Sequence, residues 1–331
     1  MSKPKVLVTG GAGFIGGNFV QYMVDKYPNY DIVNLDLLTY AGDLTKHHQM
    51  ESKANYRFVQ ADIAERELIS NLFEQEKFSY VVHFAAESHV DRSITDPAVF
   101  VRTNVMGTQV LLDAARKFGI TKFVHVSTDE VYGELDFDPT SFFTEDTPLQ
   151  PNSPYSASKA ASDLLVRAYY ETYGFPMNIT RCSNNYGPYH FPEKLIPLTI
   201  SKLLNDEKVP VYGDGKNIRD WLHVWDHCAA IDLVLHQGVE GEVYNVGGHN
   251  ERTNLEVVKT IINTLGKSED LIEFVTDRLG HDKRYAIDPT KLEQLGWQPT
   301  YTFETGIAQT IQWYIDNTDW WEQILRNEAN K

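Results

Sequence analysis

The chain has 331 residues, enough for one large domain or two moderate ones, and its 42% apolar and 23% charged residues are ordinary for a globular protein. A formal net charge of −16 argues against nucleic acid or an anionic membrane surface as partner, and no apolar run approaches a membrane span. Cys182 and Cys228 are the only cysteines, which excludes a disulfide framework or a Cys-rich metal site and points to a cytoplasmic protein.

Met1-Ser2-Lys3-Pro4 runs straight into a strand-like segment at 5–9, so no signal peptide is expected before the fold. Further β-rich runs lie at 31–36, 56–60, 80–84, 123–127 and 177–181, separated by helical patterns such as 14–26, 65–75 and 97–118. The strands are short, apolar and not strictly alternating, as they are when helices cover both faces of a parallel sheet. This predicts an α/β fold with a Rossmann-type, doubly wound parallel sheet over 1–181 and ligands at the carboxyl ends of its strands. Beyond Arg181, Gly and Pro accumulate at Gly187-Pro188, Pro192, Pro197, Pro210 and Gly213-Asp214-Gly215, and helical patterns return at 255–265 and 303–316. Residues 182–331 are therefore expected to form mainly a smaller α/β substrate lobe, with chain crossing back to the sheet.

Between the first strand and first helix, Gly11-Ala12-Gly13-Phe14-Ile15-Gly16 fits G-x-G-x-x-G. Gly10 would serve the tight turn, Gly13 the approach of a pyrophosphate, and Gly16 close packing of helix on strand. The first helical turn, with Phe14 and Ile15, then offers free N–H groups and a positive dipole to the phosphates. The motif alone is weak, but Asp36 ends the second strand 20 residues after Gly16, where a carboxylate can bind the adenosine ribose. Leu37 and Leu38 follow with no arginine for a 2′-phosphate, which favours NAD over NADP. Asp62 and Ile63 would flank the adenine, although Asp62 read alone is a helix cap. Ala85 and Ala86 leave room for a cofactor after the fourth strand.

The fifth strand ends in Thr128-Asp129-Glu130, upstream of Tyr155-Ser156-Ala157-Ser158-Lys159. Tyr155 and Lys159 share a helix face if Ser153 or a neighbour opens the helix, and the lysine, with a nicotinamide cation nearby, is expected to lower the phenol pKa so that it accepts an alcohol proton. An acid and a base beside that pair are what removal of water from a sugar requires. Read alone, both carboxylates are caps of the next segment.

At this point the chain resembles the extended short-chain dehydrogenase/reductase family. The residues carrying the resemblance include the glycine turn from Thr9 to Gly16, Asp36-Leu37-Leu38-Thr39-Tyr40-Ala41-Gly42 and Ala85-Ala86-Glu87-Ser88-His89-Val90-Asp91-Arg92-Ser93. They continue through Ser127-Thr128-Asp129-Glu130-Val131-Tyr132-Gly133, Tyr155-x-x-x-Lys159, the stretch from Cys182 to Leu195, and Arg219-Asp220-Trp221. Within the family the chain is similar to the nucleotide-sugar 4,6-dehydratases, which implies NAD as a regenerated cofactor and dTDP-glucose as substrate. The resemblance implies that Thr128 binds the sugar 4-hydroxyl, Asp129 is the general acid, Glu130 the general base, and Tyr155 with Lys159 the oxidising pair. It adds Leu38, Thr39, Thr103 and Asn185 to the cofactor site. It places the nucleotide sugar against Ser88, Asn184, Lys194, Leu195, Tyr212, Arg219, Asn254, Arg278 and His281. Arg219 suits a diphosphate clamp because a guanidinium binds phosphate oxygens in pairs. A dehydratase of another nucleotide sugar, a 4-epimerase, and a silent NAD(H)-sensing protein remain as alternatives.

One departure is Asp277-Arg278-Leu279-Gly280-His281, where relatives usually carry proline at the third position; leucine loosens the local φ constraint. His47-His48 reads as exposed helix surface. His223 and His227 have i, i+4 spacing, but no metal is expected. Trp320-Trp321 is expected to dock the tail or meet a partner. The helices containing residues 99–115 and 157–170 are apolar on more than one face, which with the resemblance points to a homodimer.

Overall fold

The computed structural model describes residues 3–277 and 281–329. The strand β1 (Lys5–Thr9) shows why the sheet is covered on both sides. Val6 and Val8 enter one apolar cluster while Leu7 enters another, and all three are fully buried. With β2 (Asp31–Asp36), β3 (Tyr56–Gln60), β4 (Tyr80–His83), β5 (Lys122–Thr128) and β6 (Met177–Cys182) it forms a parallel sheet. The seventh strand, β10 (Val243–Val246), arrives from the second half of the chain and gives the order β10-β6-β5-β4-β1-β2-β3.

Helices α1 (Phe14–Lys26) and α8 (Val224–Gln237) supply Phe19, Val20, Met23, Cys228 and Ile231 to the first cluster. Helices α2 (Arg66–Glu76), α5 (Thr108–Phe118) and α6 (Pro154–Tyr173) cover the other face with Ile69, Phe73, Leu111 and Val166. Between α2 and α5 lie α3 (Val90–Thr95), α4 (Pro97–Phe100) and a π-helical turn, Val101–Gly107. The single helix expected over 97–118 is thus continuous in place but changes its winding within it. The chain order reverses between β1 and β4, where a doubly wound sheet opens its binding crevice.

The second lobe contains β7 (Asn184–Tyr186), β9 (Ile218–His223) and β11 (Glu251–Thr253) in one small sheet. A second pairs β8 (Val209–Tyr212) with β12 (Ile272–Val275). Around them α7 (Leu195–Leu204), α9 (Asn254–Leu265), α11 (Phe303–Asp316) and α12 (Thr318–Ala329) enclose a core that includes Ile196, Ile261, Ile307 and Trp321. The short α10 (Thr290–Gln294) instead sends Leu292 to the main-sheet core.

His47 corrects the reading of the histidine pair. It is 1% exposed, against the Asn34 amide and the Tyr56 hydroxyl, whereas His48 is exposed. The short 3-10 turn Thr45–His47 sends the neighbours to opposite sides, and helical periodicity could not show that. Among the described residues no helix is long and apolar enough to cross a membrane.

Candidate active site

One cleft follows the carboxyl ends of β1, β2, β4, β5 and β6 and continues into the second lobe. Its first end is made by backbone. Gly10 has φ +72° and donates its N–H to the Leu35 carbonyl (2.8 Å), while a side chain there would meet Ala85 N at 2.5 Å. A β-carbon on Gly16 would lie 2.3 Å from the Gly10 carbonyl oxygen, which explains the close seating of α1 on the turn. Gly13 caps α1 with no side-chain hydrogen bond, leaving the first-turn donors around Phe14 and Ile15 for an anion. Asp36 Oδ2 accepts from Ala12 N (2.9 Å) and Oδ1 from Leu38 N (2.8 Å), so this carboxylate is fixed at the cleft wall. Leu38 itself, at φ 61°, holds Asp36 rather than lining the cleft, which its neighbours Leu37 and Thr39 do.

Ile63, Ala85, Ala86 and Thr103 also line this end. Asp62 lines it too, accepting from Ala64 N (2.8 Å) and pairing with Arg102 (2.7 Å), while α2 is capped at Glu65. The π-helical turn carries Thr103 and also Asn104, which the sequence reading passed over. The Asn104 side chain accepts from Glu87 N (2.8 Å) and donates to Glu87 O (3.0 Å) and Ser158 Oγ (2.8 Å), tying the loop after β4 to α6. The glycine cradle, uncapped helix start and fixed Asp36 together fit a dinucleotide.

Ser153 opens α6 with a capping box closed by Ser156, which brings Tyr155 and Lys159 onto the cleft side. Both are buried, and Lys159 Nζ donates to the Val126 carbonyl (2.9 Å). The expected lowering of the Tyr155 pKa counts a nicotinamide cation beside Lys159, and the protein alone has a different balance. Burial, with Glu130 next in importance, raises the phenol well above its ordinary value. Burial also lowers Lys159, opposed by the carboxylate of Asp163.

Across the cleft β5 ends at Thr128, whose hydroxyl accepts from Glu130 N (3.2 Å) and opens the 3-10 turn Asp129–Tyr132. Asp129 is 2% exposed; burial first, and the adjacent Glu130 second, push its carboxyl well above the usual range. That direction favours the protonated form, the one a general acid needs. Behind both elements runs a buried polar chain. Asp163 on α6 accepts from Arg181 Nε (2.9 Å), Arg181 Nη1 donates to the Tyr132 hydroxyl (3.0 Å), and that hydroxyl donates to Asn245 Oδ1 (2.8 Å).

The far end of the cleft gathers Ser88, Asn184, Lys194, Leu195, Tyr212, Arg219, Asn254 and His281 from distant parts of the chain. Asn185 lies inward of them, its Oδ1 against His227 Nδ1 (2.9 Å). Arg219 donates to the carbonyls of Ile218 (2.7 Å) and Asp282 (2.9 Å), with its guanidinium 4.2 Å from the Tyr285 ring centroid. Tyr285 is a cleft residue that no motif announced; its hydroxyl donates to Asp282. His281 contacts Asp277 (2.6 Å), while Arg278, Leu279 and Gly280 lie outside the described residues. Trp321 docks the tail in the lobe core, but Trp320 also lines the cleft and donates to Asp43 Oδ2 (2.6 Å).

A family model described as GDP-mannose 4,6 dehydratase matches residues 7–310. A dTDP-glucose 4,6-dehydratase of Xanthomonas campestris pv. campestris (strain B100) is 55% identical, covering 96% of this chain and 95% of its own. The crystal structure of dTDP-glucose 4,6-dehydratase from Bacillus anthracis in complex with NAD is similar at TM-score 0.91 and 52% identity, over 97% of this chain and 99% of that one. A UDP-glucose 4-epimerase from Thermotoga maritima shares the fold at TM-score 0.88 with 28% identity, over 95% and 99% of the two chains.

Proposed function

We infer the reaction from one premise: the chain belongs to the family described as GDP-mannose 4,6 dehydratase, among the extended short-chain dehydrogenases/reductases. It is an NAD-dependent dTDP-glucose 4,6-dehydratase in activity, converting dTDP-glucose into dTDP-4-keto-6-deoxyglucose. The observation carrying this reading is the burial of one carboxyl, Asp129, beside a second, Glu130, in the same cleft as Tyr155. A 4-epimerase needs the tyrosine but not that pair, and a sensor needs neither.

NAD, when bound against the glycine turn and Asp36, would supply the hydride-accepting and hydride-donating chemistry that oxidation at C4 and reduction at C6 require. Thr128 orients the 4-hydroxyl, and Tyr155 takes its proton. The phenol is raised in the protein alone; a nicotinamide cation would lower it, and Lys159 is tied to the neighbouring strand through the Val126 carbonyl. The resulting 4-ketone acidifies the C5 hydrogen, which Glu130 removes as a proton and returns to C5 once C6 is reduced. Asp129 gives its proton to the C6 oxygen, which leaves as water. Arg219, Lys194 and Asn254 hold the nucleotide diphosphate end, and Tyr212 packs near its base.

The protein acts in the cytoplasm as a homodimer in this reading. Support for the dimer comes from Val101, Met106 and Leu164, each more than half exposed on neighbouring helices, and for the compartment from two buried, unpaired cysteines. Incubation with dTDP-glucose, followed by NMR, tests the activity. A 4-keto-6-deoxy sugar is expected; dTDP-galactose would make the chain an epimerase, and unchanged substrate over protein-bound NAD would make it a sensor.

A further inference from the structure

Lys46 is a charged side chain that the reaction does not use. It is 8% exposed, lies in the 3-10 turn Thr45–His47 after β2, and lines the cleft beside the glycine turn. Its stem packs on α1 where Gly17 leaves room: a β-carbon there would meet Lys46 Cδ, Cε and Nζ at 2.8 to 2.9 Å. The ammonium donates to the Gly13 carbonyl (2.5 Å), with the Tyr189 ring centroid 5.8 Å away.

An ammonium has three donors, and among the described residues this one hydrogen-bonds through a single contact, to a neutral carbonyl. The nearby carboxylates are otherwise engaged. Asp36 accepts from Ala12 and Leu38, and Asp43 accepts from Thr45 and Trp320. Burial accordingly lowers the lysine to about 8, with Asp43 and Asp36 opposing the shift. Burying a cation without a full set of partners costs free energy, and such a group is retained where an anion completes it. The other described Lys and Arg residues of the cleft, Lys159, Lys194 and Arg219, sit at the reaction site or the substrate end. At the glycine turn, where α1 offers uncapped N–H groups, Lys46 supplies the full positive charge.

We propose that Lys46 is a further cofactor-binding residue whose ammonium contacts the pyrophosphate of the bound dinucleotide. This rests on the reading of the cleft as an NAD site. It gives the chain a side-chain anchor for a cofactor that must stay bound while it is reduced and reoxidised. A charge-assisted contact of this kind corresponds to about a tenfold change in affinity or more.

The test uses the holoenzyme. Release of bound NAD is followed by exchange against labelled NAD in the parent, in Lys46→Met and in Lys46→Gln, and the ³¹P resonances of the bound pyrophosphate are recorded for each. Both variants keep most of the stem over Gly17, so packing is largely preserved. About tenfold faster release, together with displaced ³¹P resonances, is expected in both. Release within twofold of the parent would overturn the proposal. Faster release with unmoved ³¹P resonances would overturn it too, since the effect would then come from loosened packing. A parent protein that neither carries nor takes up NAD would instead defeat the cofactor reading on which the proposal stands.

Discussion

The two ends of the cleft are built by opposite means. At the dinucleotide end, two consecutive strands and one helix supply backbone: a positive-φ glycine, a helix start without a side-chain cap, and a carboxylate locked by two main-chain N–H groups. At the sugar end, side chains converge from Ser88 through His281, carried by several elements far apart in the chain. The first design leaves almost no freedom to the residues that form it. The second allows pKa values, and thus chemistry, to be set one side chain at a time.

The sharpest way to break this contrast is to change atoms without changing shape at the sugar end. Glu130→Gln and Asp129→Asn should each lower dehydration by about a hundredfold or more while NAD stays bound, and Glu130→Gln should still oxidise C4, read as absorbance of reduced cofactor. Parent-rate dehydration by Glu130→Gln would remove it as the base. Asp129 also predicts a pH dependence. Its folded pKa is raised, so its stabilising contribution is full below the unfolded carboxyl value and is lost as pH rises through the folded one. Asp129→Asn should therefore flatten the melting temperature against pH and raise it at neutral pH, even as activity falls.

The matching change at the other end is Gly16→Ala. With backbone oxygen 2.3 Å from the new carbon, strain of about 1–3 kcal/mol is expected, measured as a lower melting temperature and lost NAD. Arg219→Lys keeps the charge but removes paired donors and ring stacking; KM should rise about tenfold with a much smaller change in kcat and unaltered NAD retention. The smallest effect is expected from Trp320→Phe, which deletes the bond to Asp43. At about 1 kcal/mol it should speed NAD release severalfold and leave KM for the sugar nucleotide near the parent value.

The same contrast explains what the sequence made legible. Glycines at fixed spacing, and Asp36 at the end of a strand, are local requirements of a turn, so their placement can be read from a few adjacent residues. Strand limits were likewise close, with β1, β2 and β3 at the expected residues and β5 extended by one at each end. Tyr285 and Asn104 were not legible, because each matters through a partner far away in sequence: Arg219 for one, Glu87 and Ser158 for the other. The balance at Tyr155 was legible only in part for a related reason. One lysine on the same helix face says nothing of burial, or of the carboxylates that tertiary structure brings near.

The late return of β10 to the edge beside β6 has a consequence for biosynthesis. As the chain leaves the ribosome, six strands can align, but the edge of β6 stays unpaired while some sixty intervening residues, 183–242, are made. During that interval an exposed strand edge is a template for pairing with another nascent chain. Fragments ending before Val243 should therefore aggregate, whereas those that include Val246 can close the sheet, which makes the third-from-last described strand a checkpoint in assembly rather than an ornament of the fold.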